Sequence, residues 1–302
     1  MNDDLAHDGF QVSMRDIASE YIYMQPSKHF SWNSEVVACA ERFNPDLIFM
    51  QIQTENILDI AVIKRLSEIG FVINWNGDIR DDVPKWMIEA GQFIQLTTFS
   101  NMDDVKKCRS LGVKSDYLEI GVNTDIYKIH NVQKQQPEIV AHFNDYGNMF
   151  PLSQYRRDLV YGLQMEFGNN FGVYGNFENA KGNFNKSQHE ESLNYNRAKI
   201  AINCSHFNAE RYSSDRLLRI MSSGTLALTH NFSGIEDVYQ VGKHLVVFND
   251  LNELISKCRH YLSNENERNE IALCGYEYVR DNFSFTMMAK NIIKLYNLYN
   301  KK

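Results

Sequence analysis

The run Ser213-Ser214-Asp215-Arg216 places two hydroxyls, a carboxylate and a guanidinium where an apolar, helix-periodic stretch begins. That grouping suits an anion, above all a phosphate, because main-chain N–H groups, hydroxyls and a bidentate guanidinium all donate to its oxygens. Capping of the helix by Ser213 or Ser214 uses the same hydroxyls and is compatible with it. Other polar residues stand just behind strand-like apolar runs. In the first half these are Gln51, Gln53, Asn76, Gly77, Asp78 and Thr98; in the second, Asn144, Tyr146, Gly175, Asn176, Ser205 and His206. Open parallel sheets bind ligands beyond the carboxyl ends of their strands, so these positions are the ones to weigh. Asp78 follows the apolar run Phe71–Trp75 across the turn Asn76-Gly77, and is expected to face the ligand and act on it. A turn aspartate with no chemistry is the alternative.

Several reactions lose support because their residues are missing. There is no Gly-x-x-x-x-Gly-Lys-Ser/Thr for a P-loop and no Gly-x-Ser-x-Gly for a serine nucleophile. Gly168, Gly172 and Gly175 have the wrong spacing for a dinucleotide fingerprint and precede their strand. His189-Glu190-Glu191 lacks the second histidine of a zinc protease and reads as a solvated helix face; His206 and Glu210, four apart, are too few for a metal site. No Asp-x-Asp ends a strand, so no metal is expected. Asp81-Asp82 and Asp103-Asp104 read as helix-start charges favoured by the dipole. Five scattered cysteines without a Cys-x-x-Cys suit free thiols in a reducing compartment, which points to the cytoplasm.

Hydrophobic residues make up 43% of the 302-residue chain and charged residues 23%, the balance of a globular protein of about two domains. Net charge is −7, from 38 acidic and 31 basic residues, which gives nucleic acid no support as a partner without excluding it. No run is long and apolar enough for a membrane span. Strand-like runs alternate with amphipathic stretches of helical period, which predicts βαβ units and parallel sheets. Strands are expected at Asp46–Gln51, Phe71–Trp75, Phe93–Phe99 and Tyr117–Ile120, then at Ile139–Asn144, Gly172–Gly175, Ile200–Cys204, Thr225–Thr229 and His244–Phe248. The polar stretch Lys128–Gln136 is the candidate linker. The expected fold is therefore α/β, with one Rossmann-like domain over 1–130 and another over 137–284, facing a cleft that is the default ligand site. Ser13–Tyr23 looks helical, yet no apolar strand precedes it, so the first domain looks trimmed. The last helix, Phe285–Tyr299, has no strand after it. Its apolar stripe predicts that 285–302 crosses back to cover the first domain.

The segment Ser214-Asp-Arg-Leu-Leu-Arg-Ile-Met-Ser-Ser-Gly224, followed by Thr-Leu-Ala-Leu-Thr229, resembles the donor-site helix and strand of GT-B glycosyltransferases, most closely the spore-maturation-protein-like branch of the retaining group. The resemblance continues through Ile235–Phe248 to Phe285. It is also visible in Leu118–Tyr127, similar to the family's interdomain crossover, and in Asn74-Trp-Asn-Gly-Asp78, similar to its first domain's ligand-facing strand end.

The resemblance implies a nucleotide-sugar donor, a metal-independent transfer with retention, and an acceptor that the sequence leaves open: glycan, protein, metabolite or modified DNA base. It also implies that the donor diphosphate lies near Ser213, Ser214 and Asp215 with Arg216 in reach, supported by Arg156 or Arg157, and that the base is held beyond Gly175 and Asn176. His206 and Glu210 complete the expected donor site. One departure is plain. Where the family carries a glutamate for the ribose hydroxyls stands Arg219, and a second family glutamate falls on Arg211, one position from Glu210. A different donor grip, an alignment slipped by one, or a non-catalytic binding protein would each account for this.

Overall fold

The computed structural model describes residues 5–25, 32–182 and 187–301. The chain divides into two compact units. The N-terminal unit takes Gln11–Ile120 and then the chain from Met288 onward; the C-terminal unit takes Gly121–Met287 together with the chain up to Phe10.

In chain order the first elements are α1 (Leu5–Ile17), α2 (Trp32–Phe43), β1 (Leu47–Met50), α3 (Ile60–Ile69), β2 (Phe71–Asn76), α4 (Lys85–Gly91), β3 (Leu96–Phe99), α5 (Met102–Ser110) and β4 (Ser115–Tyr117). The four strands form one parallel sheet in the order β1-β2-β3-β4, with Leu47 opposite Phe71, Ile73 opposite Leu96 and Thr97 opposite Ser115. Every residue of β2 is buried, as a parallel strand covered on both faces must be. One apolar cluster joins Ala40 of α2 and Ile63 and Leu66 of α3 to Met50 and Val72. Another joins Met87 of α4 and Val105 and Cys108 of α5 to Phe99. Asn74 and Asn76 are the polar residues of β2. Asn74 ties β2 to the chain after β1. Its Oδ1 accepts from the Ile52 N–H at 2.9 Å and its Nδ2 donates to the Ile52 carbonyl at 3.2 Å, pinning the chain that leaves β1.

The remaining elements are β5 (Ile139–His142), α6 (Ser153–Phe167), β6 (Phe171–Tyr174), α7 (Gln188–Arg197), β7 (Ile200–Asn203), α8 (Arg216–Ser222), β8 (Leu226–His230), β9 (Val246–Phe248), α9 (Leu251–Ser263), α10 (Glu265–Phe283) and α11 (Phe285–Tyr299). Their five strands form a second parallel sheet in the order β6-β5-β7-β8-β9. The chain thus builds one neighbour of β5 and then returns to build the other. A reversal of this kind opens a crevice beyond the carboxyl ends of β5 and β7. Gly175 follows β6 with φ +152°, and a Cβ there would lie 1.7 Å from the Phe143 carbonyl oxygen. Only glycine lets these two chains meet so closely.

The expected α/β fold with two parallel sheets is the fold observed. Several boundaries differ for physical reasons. The first helix ends at Ile17, with 18–25 non-helical, and α2 occupies a stretch for which no helix was expected. No strand precedes β1 among the described residues. β3 begins at Leu96, because the N–H groups of Phe93 and Ile94 bond the Ala90 carbonyl and close α4. β4 pairs through Ser115–Tyr117, ahead of the apolar residues that suggested Tyr117–Ile120. The first stretch of the N-terminal unit ends at Ile120, before the polar stretch 128–136, because the residues after it are bonded into the C-terminal unit. Val122 exchanges main-chain hydrogen bonds with Phe283 and Phe285 at 2.9 and 3.1 Å, and Tyr127 is 1% exposed.

From Met288 on, α11 belongs to the N-terminal unit. The Tyr296 ring meets Phe71 edge-on at 5.4 Å, and the Tyr299 hydroxyl donates to Asp116 at 2.8 Å. Ile292 is wholly buried, whereas Leu298 is 53% exposed. Ile292→Ala should therefore cost about 2–5 kcal/mol, and Leu298→Ala less than about 0.5 kcal/mol. Urea midpoints of the two variants test this; equal midpoints would show that the stripe is not holding the helix down.

Candidate functional site

Two arginines meet at the crevice beyond β5 and β7. Arg156, in the first turn of α6, is 1% exposed, and Arg216, the first residue of α8, is 7% exposed. Both guanidinium groups stand over the ring of Phe143, the residue after β5, at 4.5 and 5.0 Å from its centroid. Nη1 of Arg216 donates to Asn203 Oδ1 at 3.3 Å, to the Cys204 carbonyl at 3.4 Å and to Ser214 Oγ at 3.1 Å. Nη1 of Arg156 meets Nε2 of His206. Among the described residues neither arginine makes an ion pair. Nε and Nη2 of Arg156 and Nε of Arg216 are buried without a protein partner.

A buried cation without a counter-charge is costly, and two of them on one ring are costlier. Burial, and then the neighbouring Arg216, pull Arg156 down to about 9. Burial and the two arginines push His206 down to about 3. Cys204, raised to about 12 by burial, is an inert thiol. The N–H groups without a protein partner remain free to donate. A group with several oxygens, such as a diphosphate, can accept from the unused N–H groups of both arginines at once.

The other expected donor-site residues divide. Ser214 belongs to the cluster: its N–H donates to Ser205 Oγ at 2.9 Å and its hydroxyl to Asn203 Oδ1 at 3.2 Å. Ser213 is buried and donates to the Ser214 carbonyl at 3.3 Å. Neither serine caps α8, which starts at Arg216 with Asp215 before it, so the expected hydroxyl cap is corrected. Arg157 is committed elsewhere. It pairs with Asp145 at 3.0 Å and donates to Gly147, Asn148 and Gln154, fastening the loop after β5. Asn176 grips the same loop through the Asp145 N–H and carbonyl. Gly175 provides the close approach already described. Glu210 is half-buried beside Arg211, whose φ of +57° turns the loop so that its N–H bonds the Ser233 carbonyl at 2.7 Å.

Residues 155–294 match the glycosyl transferase-like family. No curated protein sequence matches the chain. Solved structures similar to it include Anabaena HepE in complex with UDP and glucose, at 12% identity and a TM-score of 0.63, covering 87% of this chain and 80% of that one. A glycosyltransferase from Rickettsia africae is similar at 12% identity and a TM-score of 0.58, covering 96% and 87%. Sucrose-phosphate synthase from Thermosynechococcus elongatus is similar at 11% identity and a TM-score of 0.55, covering 93% and 82%. The fold is GT-B.

In this GT-B chain the place expected for a ribose-gripping glutamate holds Arg219, and its charge is already matched. It pairs with Glu191 at 3.1 Å and with Asp215. Glu191 also accepts the hydroxyls of Tyr127 and Tyr195, both at 2.7 Å. Burial alone would raise the Glu191 carboxyl, but Arg219, His142 and the two hydroxyls hold it below the usual range. Burial works against Arg219 too, and Asp215 and Glu191 outweigh it, keeping the guanidinium charged. Glu191 was expected on a solvated face with His189 and Glu190. Those two are exposed, but Glu191 is 5% exposed, and only the helical phase it shares with buried Tyr195 hinted at this. Phe143 and Asn203 were also missed as site residues, since both read as strand interior.

In the N-terminal unit Asp78 is exposed. Its N–H donates to Gln53 Oε1 at 2.8 Å and its carbonyl accepts from Arg80 at 2.9 Å, so the turn after β2 is tied to the chain after β1. Lys107 and Arg109 are ion-paired with Asp82 and Asp116. Among the described residues no three His, Cys, Asp or Glu side chains could hold a metal, and no helix is long and apolar enough to cross a membrane.

His142 gives the C-terminal unit a pH dependence. Its ring stacks on Tyr174 at 4.7 Å and burial holds it down to about 4, against 6.5 when unfolded. Between those values the unfolded chain binds more protons, so stability rises with pH: the contribution is complete above about 6.5 and is lost as pH falls toward 4. His206 acts in the same sense. Urea unfolding from pH 7 to 4.5 should find His142→Phe declining less steeply than the parent, by up to about 3 kcal/mol. Parallel curves would remove His142 from the account.

Proposed function

We propose that the protein is a glycosyltransferase that moves a sugar from a nucleotide-sugar donor to an acceptor. The observation that carries this reading is the pair of buried guanidinium groups of Arg156 and Arg216 over Phe143, with N–H groups that no described residue accepts. The leaving group of such a transfer is a nucleoside diphosphate, and stabilising its developing charge is the main catalytic task. Two fixed guanidiniums perform it without a metal. Arg156 and Arg216 hold the diphosphate, with Ser213, Ser214 and His206 around it; Gly175 and Asn176 face the base. Arg157 supports the site from behind through the loop after β5. Glu210 and Asp215 are the carboxylates on the donor side, and Arg219 keeps Asp215 in place.

Structures of similar fold support a uridine donor: HepE has been solved with UDP-glucose, and the pneumococcal O-GlcNAc transferase GtfA with UDP and GlcNAc. Retention and the spore-maturation-protein-like branch rest on the resemblance of the Ser214–Thr229 stretch. The acceptor is a glycan, protein or metabolite in preference to DNA, because Lys107 and Arg109 are already paired with carboxylates. Five free thiols suit the cytoplasm. The second reading, a non-catalytic binding protein of the same fold, draws on Arg219 standing where a glutamate was expected.

Calorimetric titration with UDP, GDP, ADP and CDP should find a binding partner, and Arg216→Ala should weaken it by about 10- to 100-fold with folding intact. An unchanged dissociation constant would end the assignment. Asp78 is the proposed catalytic carboxylate on the acceptor side. Asp78→Asn should lower transfer while leaving nucleotide affinity unchanged; full transfer would leave it only its turn. Nucleotide binding with no sugar transfer to any acceptor class would favour the second reading.

A further inference from the structure

His206 has a feature that nucleotide binding by itself does not explain. Its ring packs against the Tyr146 ring, at 5.2 Å, and the Phe150 ring, at 4.6 Å, which also meet each other at 5.5 Å, while its own carbonyl accepts the Leu152 N–H at 3.0 Å. Phe150 packs in turn on Phe207 at 5.6 Å. The imidazole is thus seated on an aromatic cluster where it meets Nη1 of Arg156. A guanidinium has only donors, so Nε2 of His206 must be the acceptor and the ring must be neutral, with its proton on Nδ1.

Resting on the donor reading above, we propose that His206 is a positioning residue: its Nε2 accepts from Arg156 Nη1 and so aims the unpartnered Nε and Nη2 groups of that guanidinium at the bound diphosphate. The charged and titratable groups facing the imidazole are Arg156 from α6, Arg216 from α8 and the Tyr146 hydroxyl from the loop after β5. Burial and the two cations favour the uncharged ring. An imidazolium would lose the acceptor, repel both arginines and release Arg156 from its orientation. A carboxylate at this position would pair with Arg156 and compete with the diphosphate. A neutral acceptor orients the guanidinium without consuming its charge.

Two measurements test this. In the first, titration with UDP or inorganic pyrophosphate compares the parent with His206→Ala, His206→Gln and Arg156→Ala. His206→Ala should weaken binding at least tenfold. His206→Gln, whose amide oxygen can accept the same bond, should stay within about threefold of the parent. Adding His206→Ala to Arg156→Ala should change nothing more, because the histidine acts through that arginine. An unchanged affinity in His206→Ala, or a glutamine variant as weak as the alanine one, overturns the proposal. The second measurement needs no ligand. Nitrogen NMR of the full chain should find His206 as the Nδ1–H tautomer throughout pH 5–8, with its titration moving up in Arg156→Met, which removes one of the two neighbouring cations but not the burial. An Nε2–H tautomer or an imidazolium at pH 6 in the parent overturns it. Failure of the parent to bind any diphosphate would strike the donor reading, and the NMR result would still decide the Arg156–His206 pairing.

Discussion

Two positive charges buried over one aromatic ring, neither of them in an ion pair among the described residues, are the constraint around which the C-terminal unit is arranged. Arg156 and Arg216 come from different helices, and the structure brings them together by the order of its strands. β5 enters first and is flanked on both sides by later strands. The loops leaving β5 and β7 therefore part, and the first turns of α6 and α8 converge on the space between them. Phe143 offers its ring face to both guanidiniums, an attraction worth about 1–2 kcal/mol where water is excluded. That offsets only part of the cost of burying them. For Arg216 the neutral acceptors Asn203, Cys204 and Ser214 offset a further part.

The same unit contains the opposite solution. Arg219 is also partly buried, yet two carboxylates pair with it, and one of them, Glu191, accepts two tyrosine hydroxyls besides. The contrast shows in the direction of the shifts: Arg219 is held more firmly charged, while Arg156 is drawn down to about 9. A compensated buried ion pair ties elements together, here α7, α8 and the segment carrying Tyr127. An uncompensated pair marks where a ligand belongs. The two arrangements share α8, whose first residue stands over Phe143 and whose fourth faces the ion pairs. The ion-pair network thereby fixes the helix on which Arg216 is mounted.

The carboxyl-end loops show how backbone constraints serve the site. Gly175 has no Cβ because the Phe143 carbonyl occupies its place. Asn176 binds both main-chain groups of Asp145, and Arg157 binds the Asp145 carboxylate. The loop after β5 is therefore held from two sides, and it carries Phe143, Tyr146 and Phe150. Those three rings position Arg156, Arg216 and His206. Order in the loop becomes order in the charges.

The sequence by itself determined the α/β class, the two parallel sheets and most elements, because buried parallel strands and amphipathic helices leave periodicities that survive any arrangement in space. It also placed His206, Ser214 and Arg216 among the candidates, since residues behind a buried strand or opening a helix are exposed to ligand by geometry alone. Tertiary structure decided everything that depended on charge balance. Arg156 and Arg157 are adjacent and chemically identical, and only the direction each takes from α6 sends one over Phe143 and the other to Asp145. Glu191 and Glu190 are equally alike, and only helix phase against the second sheet buries one of them. Arg219 read as a replaced ligand contact, and the fold gives it two carboxylate partners. Periodicity is a property of the chain, whereas neutralisation of a charge is a property of its neighbours in space.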